Sequence, residues 1–319
     1  MRRRDFLGIA AGMLTCGSDA FAQRVYRVAI LTPSHTQWQP RTFRDSLREF
    51  GYRDGVNLEI DVATAENDLS RLPELAANLV ATGADVIVAV NTPGTRAAMS
   101  ATSTIPIVSS AVADPIFLGI VSNIAKPNGN VTGVANLAAD ITSKRIALLK
   151  ELVPSARRIA LFMHPDEPIT ALQVQDAEKN AGTLGIEPKA FSMRTIDDLR
   201  QGLREAVLWN AQAVVRLAGQ GFALGADTGR LATDRGLPSM LLQRQDVEAG
   251  GLMSYFADHR ELWRRVAAQV DRILKGTPPR ELPFELPTRF ELVVNLKTGK
   301  RLGLVVPPSL LARADEVIE

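Results

Sequence analysis

Short apolar runs rich in β-branched residues alternate along this chain with longer stretches of helical period. "VYRVAILT" (25–32), "DVIVAV" (85–90) and "IPIVSSA" (105–111) are nearly continuous apolar runs of strand length, and they predict strands buried on both faces. "NLEIDVATA" (57–65) alternates apolar and polar positions, which predicts a strand with one wetter face. Between these runs, "PRTFRDSLREFGY" (40–52) puts Phe43, Leu47 and Phe50 on one helical face, and Gly51 stops it. "LSRLPELAANLVATG" (69–83), "GTRAAMSAT" (94–102) and "PIFLGIVSNI" (115–124) predict three more helices, and "GNVTGVA" (129–135) a short strand. Thr92 is a natural N-cap for the third helix of this set, with Pro93 at its first helical position.

The pattern then restarts. "TSKRIALLKELVP" (142–154) predicts a helix, "RRIALFMH" (157–164) a second opening strand, and residues 168–183 another helix. "EPKAFSM" (187–193), "AVVRLA" (213–218), "PSMLLQ" (238–243) and "GLMSYF" (251–256) are further strands, with a helix over 195–209. Strands followed by crossover helices of this length make parallel βαβ units with right-handed connections. Two consecutive sets predict an α/β chain of two Rossmann-like lobes, each a parallel sheet covered on both faces. The last quarter is too small for a third lobe. Its long helix (258–276), its proline-rich connector (277–287), its strand (291–296) and its Lys297–Leu302 helix must dock on lobes already built. A chain that recrosses in this way joins the lobes by a multi-crossover hinge.

Composition narrows the class. The 319 residues are 46% apolar, and 37 basic residues against 35 acidic ones give a formal charge of +2. With no Lys/Arg run interleaved with aromatics, nucleic-acid binding is not expected. The first 22 residues stand apart. Arg2, Arg3 and Arg4 precede a mildly apolar run, Phe6 to Leu14, which ends at the small-x-small site Ala20-Phe21-Ala22. That layout predicts an export signal cleaved after Ala22 and a periplasmic protein. Arg3-Arg4-Asp5-Phe6-Leu7 resembles the twin-arginine motif, with an ordinary Sec signal or lipoprotein processing at Cys16 as alternatives. Cys16 is the single cysteine, so the cleaved chain has no disulfide and no thiolate metal site.

Little in the chain points to catalysis. His35, His164 and His259 lie near the ends of different predicted strands without metal-ligand spacing. There is no Gly-x-Ser-x-Gly elbow and no phosphate-binding Gly-x-x-x-x-Gly-Lys-Ser/Thr loop. Gly219-Gln220-Gly221 is followed by Gly225, one place late for a dinucleotide loop. No cofactor and no metal are expected. The chain offers instead polar residues at the carboxyl ends of strands, the ligand-facing edge of open parallel sheets. These are Trp38 after the first strand, Asn91 and Thr92, Asp114, then His164, Asp166 and Thr170 in "MHPDEPIT", Gln220, Gln243 and Tyr255. A helix opening at Thr92 would present free N–H groups to a ligand carboxylate. Asp166 or Glu167 would meet an ammonium, and Trp38 would stack on an aromatic group.

Ser70-Arg71-Leu72-Pro73-Glu74-Leu75-Ala76, "ATSTIPIV" (101–108), "GNVTGV" (129–134), "VEAGGLMSY" (247–255) and "NLKTGKRLGLVVPPSLLARADEVIE" (295–319) occur in order. Together they resemble the substrate-binding proteins of tryptophan/tyrosine-type ABC transporters. The resemblance implies a type I periplasmic binding protein fold, a monomer that closes on a small ligand between lobes and docks on a membrane permease. With that architecture the chain divides into a first lobe of 24–135 plus 257–284 and a second of 136–256 plus 285–319. The implied ligand is an amino acid, aromatic or hydrophobic, or a related carboxylate. His164-Pro165 and "VVRLAGQGFALG" (214–225) depart from the relatives' usual turns, both on the second lobe's ligand-facing edge. An exported α/β enzyme using His164 or His35 as general base is the other reading of the same residues.

Overall fold

A computed structural model describes residues 24–34, 40–127, 129–138, 141–219 and 224–319. The expected leader and residues 35–39, with His35 and Trp38, lie outside this set. The strands are β1 (Tyr26–Thr32), β2 (Leu58–Thr64), β3 (Val86–Val90), β4 (Ile107–Val112), β5 (Val131–Ala135), β6 (Arg158–Met163), β7 (Glu187–Ser192), β8 (Ala213–Arg216), β9 (Ser239–Leu241), β10 (Met253–Ala257), β11 (Phe290–Asn295) and β12 (Glu316–Ile318). The helices are α1 (Pro40–Glu49), α2 (Leu72–Ala81), α3 (Asn91–Ala101), α4 (Thr142–Leu152), α5 (Pro168–Lys179), α6 (Ala181–Leu184), α7 (Ile196–Leu208), α8 (Gly225–Thr233), α9 (Arg244–Glu248), α10 (His259–Leu274), α11 (Leu296–Arg301) and α12 (Pro308–Leu311).

The strands form two sheets, ordered β2-β1-β3-β4-β5 and β12-β11-β10-β9-β8-β6-β7. The first is parallel throughout. Its inner strands β3 and β4 are buried at every residue, as their continuous apolar runs require. Two polar residues inside this core are matched to each other: Thr95 Oγ1 and Ser109 Oγ lie 2.5 Å apart, and Thr95 also donates to the Asn91 carbonyl. At Gly133 a Cβ would sit 2.2 Å from the Ser109 carbonyl oxygen, so the β4–β5 pairing requires glycine there. One face of this sheet is covered by α1 and α10. There Phe43 and Trp263 meet edge to face, 5.6 Å between centroids, within a cluster that includes Leu47, Val266 and Val270. The long late helix thus completes the core of the first sheet, 220 residues after the aromatic it packs against.

The second sheet departs from a uniform parallel pattern. β11 runs antiparallel to β10, and the polar tail supplies β12 alongside β11. The chain therefore passes between the sheets three times: after β5, between β10 and α10, and from Glu285 to β11. Just before the third passage Glu285 pairs with Gly133 and Ala135, closing the β5 edge.

The predicted helix over 115–124 is absent. Asp114 Oδ1 accepts the N–H groups of Ile116 and Phe117, both at 3.0 Å, and starts a single turn. Gly119, left-handed at φ +66, ends that turn before a second can form. α8 and α9 are additions to the expected set, because their short stretches lack a long apolar stripe.

An apolar cluster continues from the first sheet into the second. It joins Ala113, Leu118 and Ile120 with Ile169 on α5, Ala218 after β8 and Leu242 after β9. The two sheet units are in apolar contact beside the space that separates them.

Candidate functional site

That space is a cavity of about 210 Å³ walled by the carboxyl ends of strands from both sheets. β3 leads into Asn91 and Thr92, β4 into Ala111 and Ala113, β6 into His164 and Glu167, and β8 into Ala218 and Gly219. On both sides this is the carboxyl edge, where open parallel sheets usually take their ligands.

Three wall residues other than glycine adopt left-handed backbone: Asn67 at φ +69, Asn91 at +58 and Ala111 at +58. Asparagine tolerates this region, and alanine does so at a cost of about 1–2 kcal/mol. Ala111 is held there by a break in the β4–β5 register and by Asn136, whose Nδ2 donates 2.9 Å to the Ala111 carbonyl. Strain of this kind gathers where a wall must point a particular way. The left-handed Asn91 also moves the start of α3. The helix opens at Asn91 with Val90 in the cap position, and Val90 has no side-chain acceptor. Thr92 is therefore a first-turn residue on the cavity wall and not the cap its sequence suggests. α5 and α8 also begin at the cavity, next to Glu167 and Leu224, and neither has a side-chain cap bond. The N-termini of α3 and α5, each a region of positive potential, border one space, while the start of α8 lies against the Asp246 carboxylate.

On the second-sheet side the loop after β6 is locked from below. Thr170 Oγ1 donates to the carbonyls of Glu167 (2.7 Å) and His164 (2.9 Å). Gln173, fully buried, clamps Ala218 from both directions: its Nε2 donates to the Ala218 carbonyl at 2.7 Å and its Oε1 accepts the Ala218 N–H at 2.9 Å. Arg194 reaches the cavity from beyond β7, held by two 2.8 Å hydrogen bonds to Asp166. That fork holds the Asp166 carboxyl below its usual range. Burial lowers the His164 pKa, against the opposing pull of Asp166, whose Oδ2 lies 4.0 Å from His164 Nδ1. His164 is thus a neutral wall residue at pH 7. Among the described wall residues the basic and acidic side chains are Arg194 and Glu167, and Leu69, Pro93, Ile169 and Leu224 supply apolar surface.

Of the residues marked out in the sequence, Asn91, Thr92 and His164 line this cavity. Asp166 stands behind Arg194, and Thr170 beneath the loop. Asp114 spends its carboxylate capping its own turn. Gln243 lines a separate, polar pocket with His259 and Glu291, and Tyr255 stacks on Phe290 at 5.6 Å. Trp38 and Gln220 lie outside the described residues. Arg194 and Asn67 were missed, although both follow strands at the same edge. Arg194 is masked by its neighbour Thr195, which opens α7 with a capping box and reads as punctuation.

A family model described as ABC transporter substrate binding protein matches residues 29–318. The chain belongs to that family. Its members bind solutes for transport, which is the class the wall chemistry suits. A tyrosine-binding protein of Clostridioides difficile is 26% identical over 262 residues, 82% of this chain and 75% of the relative. The fold matches a conserved domain protein of Vibrio cholerae at TM-score 0.85 and 25% identity, over 92% of this chain and 100% of that one. It also matches a Streptococcus pneumoniae ABC domain in complex with L-Trp, at TM-score 0.83 and 26% identity over 92% and 100%. The two-lobed architecture expected from the sequence is that of these proteins. Among the described residues no helix is long and apolar enough to cross a membrane.

Proposed function

We propose that this family member is the periplasmic receptor of an ABC importer for a zwitterionic amino acid with an aromatic or hydrophobic side chain, delivered to a membrane permease. The observation that carries the reading is the wall itself: among the described residues one guanidinium and one carboxylate, with neutral His164, Thr92, asparagine amides and apolar side chains around them. Arg194 and the uncapped start of α3 suit an α-carboxylate, Glu167 suits an α-ammonium, and Leu69, Ile169 and Leu224 suit an apolar body. The similarity to a tyrosine-binding protein and to an L-Trp complex supports the same class. In this reading the lobes divide at 135/136, 256/257 and 284/285, and the monomeric receptor closes about the three crossings. The leader directs export and is cleaved after Ala22. The exported-enzyme alternative gains nothing from the site, because a general base needs an orienting partner and Asp166, 4.0 Å from His164 Nδ1, is committed to Arg194.

Isothermal calorimetry of the chain from residue 23 against the standard amino acids tests this. L-Tryptophan or L-tyrosine is expected to bind at micromolar Kd, and to stabilise by about 2.7 kcal/mol at a hundredfold excess over Kd. Their carboxamides and N-acetyl derivatives are expected to bind far more weakly. Equal binding of those derivatives, or conversion of a bound ligand seen by mass spectrometry, would sink the reading.

A further inference from the structure

Below the cavity floor lies a charged cluster that ligand capture does not use. Arg145 of α4, Arg216 at the end of β8 and Asp246 of α9 are 0%, 1% and 5% exposed. They meet at one place, the carboxyl edge of β8 and β9. Arg145 Nη2 donates to the carbonyls of Arg216 (2.7 Å) and Leu241 (2.9 Å). The Asp246 carboxylate is fixed against the start of α8, where a Cβ on Gly225 would fall 2.1 Å from Asp246 Oδ1. It interacts electrostatically with both guanidiniums, which in turn repel each other.

The group is unbalanced in two ways. Nε and Nη1 of both arginines, and Oδ2 of Asp246, are buried without a hydrogen-bond partner, although buried polar groups are satisfied in the great majority of cases. Two cations also face one carboxylate. Burial pushes Arg145 down to about 9 and Arg216 down to about 10, which leaves both cationic at neutral pH. Losing a proton therefore does not remove the excess charge. A water molecule would satisfy an N–H and leave the charge uncompensated. A small anion answers the orphaned N–H donors and the excess charge at once, and leaves Asp246 Oδ2 as the one acceptor still to be met.

We propose that Arg145 and Arg216, with Asp246 as their fixed partial counter-charge, form a buried site for a small inorganic monoanion of the halide class. Arg216 lies two residues before Ala218 and is paired with Phe162, two residues before His164, so the site sits directly beneath two wall residues of the cavity. The inference does not depend on which solute the cavity takes.

Thermal unfolding of the chain from residue 23 at constant ionic strength tests it. Chloride and bromide, substituted for the bulkier gluconate, are expected to raise Tm saturably by at least about 2 °C. Arg216→Met leaves Arg145 and Asp246 as a balanced pair. That variant is expected to melt no lower than the unaltered protein in gluconate and to have lost the halide response. Crystals of the unaltered protein grown in bromide are expected to show an anomalous peak between the two guanidiniums. A halide response that survives in Arg216→Met, or ordered water alone between the guanidiniums in bromide, would overturn the proposal. Should Arg216→Met fail to fold, the bromide crystals decide alone.

Discussion

Gln173→Leu separates hydrogen bonding from packing at the cavity floor. Gln173 is wholly buried, and both ends of its amide are spent on the backbone of Ala218, at 2.7 and 2.9 Å. Leucine is close in volume, so the substitution leaves little cavity. It does leave the N–H and the C=O of Ala218, itself 3% exposed, without their partner. Each orphaned buried group costs about 1–3 kcal/mol, so the pair predicts a loss of about 2–6 kcal/mol. Urea unfolding followed by circular dichroism measures it. Gln173→Ala should lose more still, by the cost of the cavity it opens. Because Ala218 and Gly219 form part of the wall, ligand affinity should fall with stability. A loss below about 1 kcal/mol in Gln173→Leu would show that the floor relaxes to repair itself, and that the clamp positions nothing.

Arg194→Gln and Glu167→Gln should each weaken the amino-acid ligand at least about tenfold, or 1.4 kcal/mol, by calorimetry. Arg194 is an exposed side chain, so the melting temperature of its variant should stay near that of the parent. Asp114→Ala should cost about 0.5–2 kcal/mol of stability through its lost cap and leave ligand affinity within about threefold. Gly229→Ala places a Cβ 2.7 Å from the Gly251 Cα, backbone that cannot swing away, and should cost about 1–3 kcal/mol in a thermal melt. Burial depresses the His259 pKa against the pull of Asp258, so the folded chain resists protonating it. The stability this residue contributes is present above the unfolded value of about 6.5 and lost as pH falls through the folded one. Melting temperature should drop between about pH 7 and 5, and His259→Phe should flatten that slope.

Periodicity and length made the α/β class and most strands legible, since β3 and β4 are unbroken apolar runs and α10 has a clear stripe. Three features were not legible, for different reasons. The helix after β4 was read from the apolar stretch "PIFLGIVSNI" behind its leading proline, yet Ile116 and Phe117 face solvent and Gly119 needs a left-handed backbone. The antiparallel β11 and the terminal β12 are set by what lies beside them, which a window of sequence does not contain. At the site, strand ends located the wall, but which side chain faces the cavity depended on local bonding. Thr170 and Asp114 turned inward to their own backbones, while Arg194 projected from a position that reads as the start of a helix.

The three passages of the chain between sheets also govern the order in which the protein can be made. A nascent chain halted at residue 250 carries all five strands of the first sheet but not α10, so Val88 and Val108 have no cover from Trp263 or Val266. The same chain lacks β10, β11 and β12, three of the seven strands of the second sheet. The first half waits for α10 and Glu285 and the second for β12, several seconds later at about 5–20 residues per second. Until α10 is complete both halves expose apolar surface together. A factor that shields nascent chains would be needed through that interval.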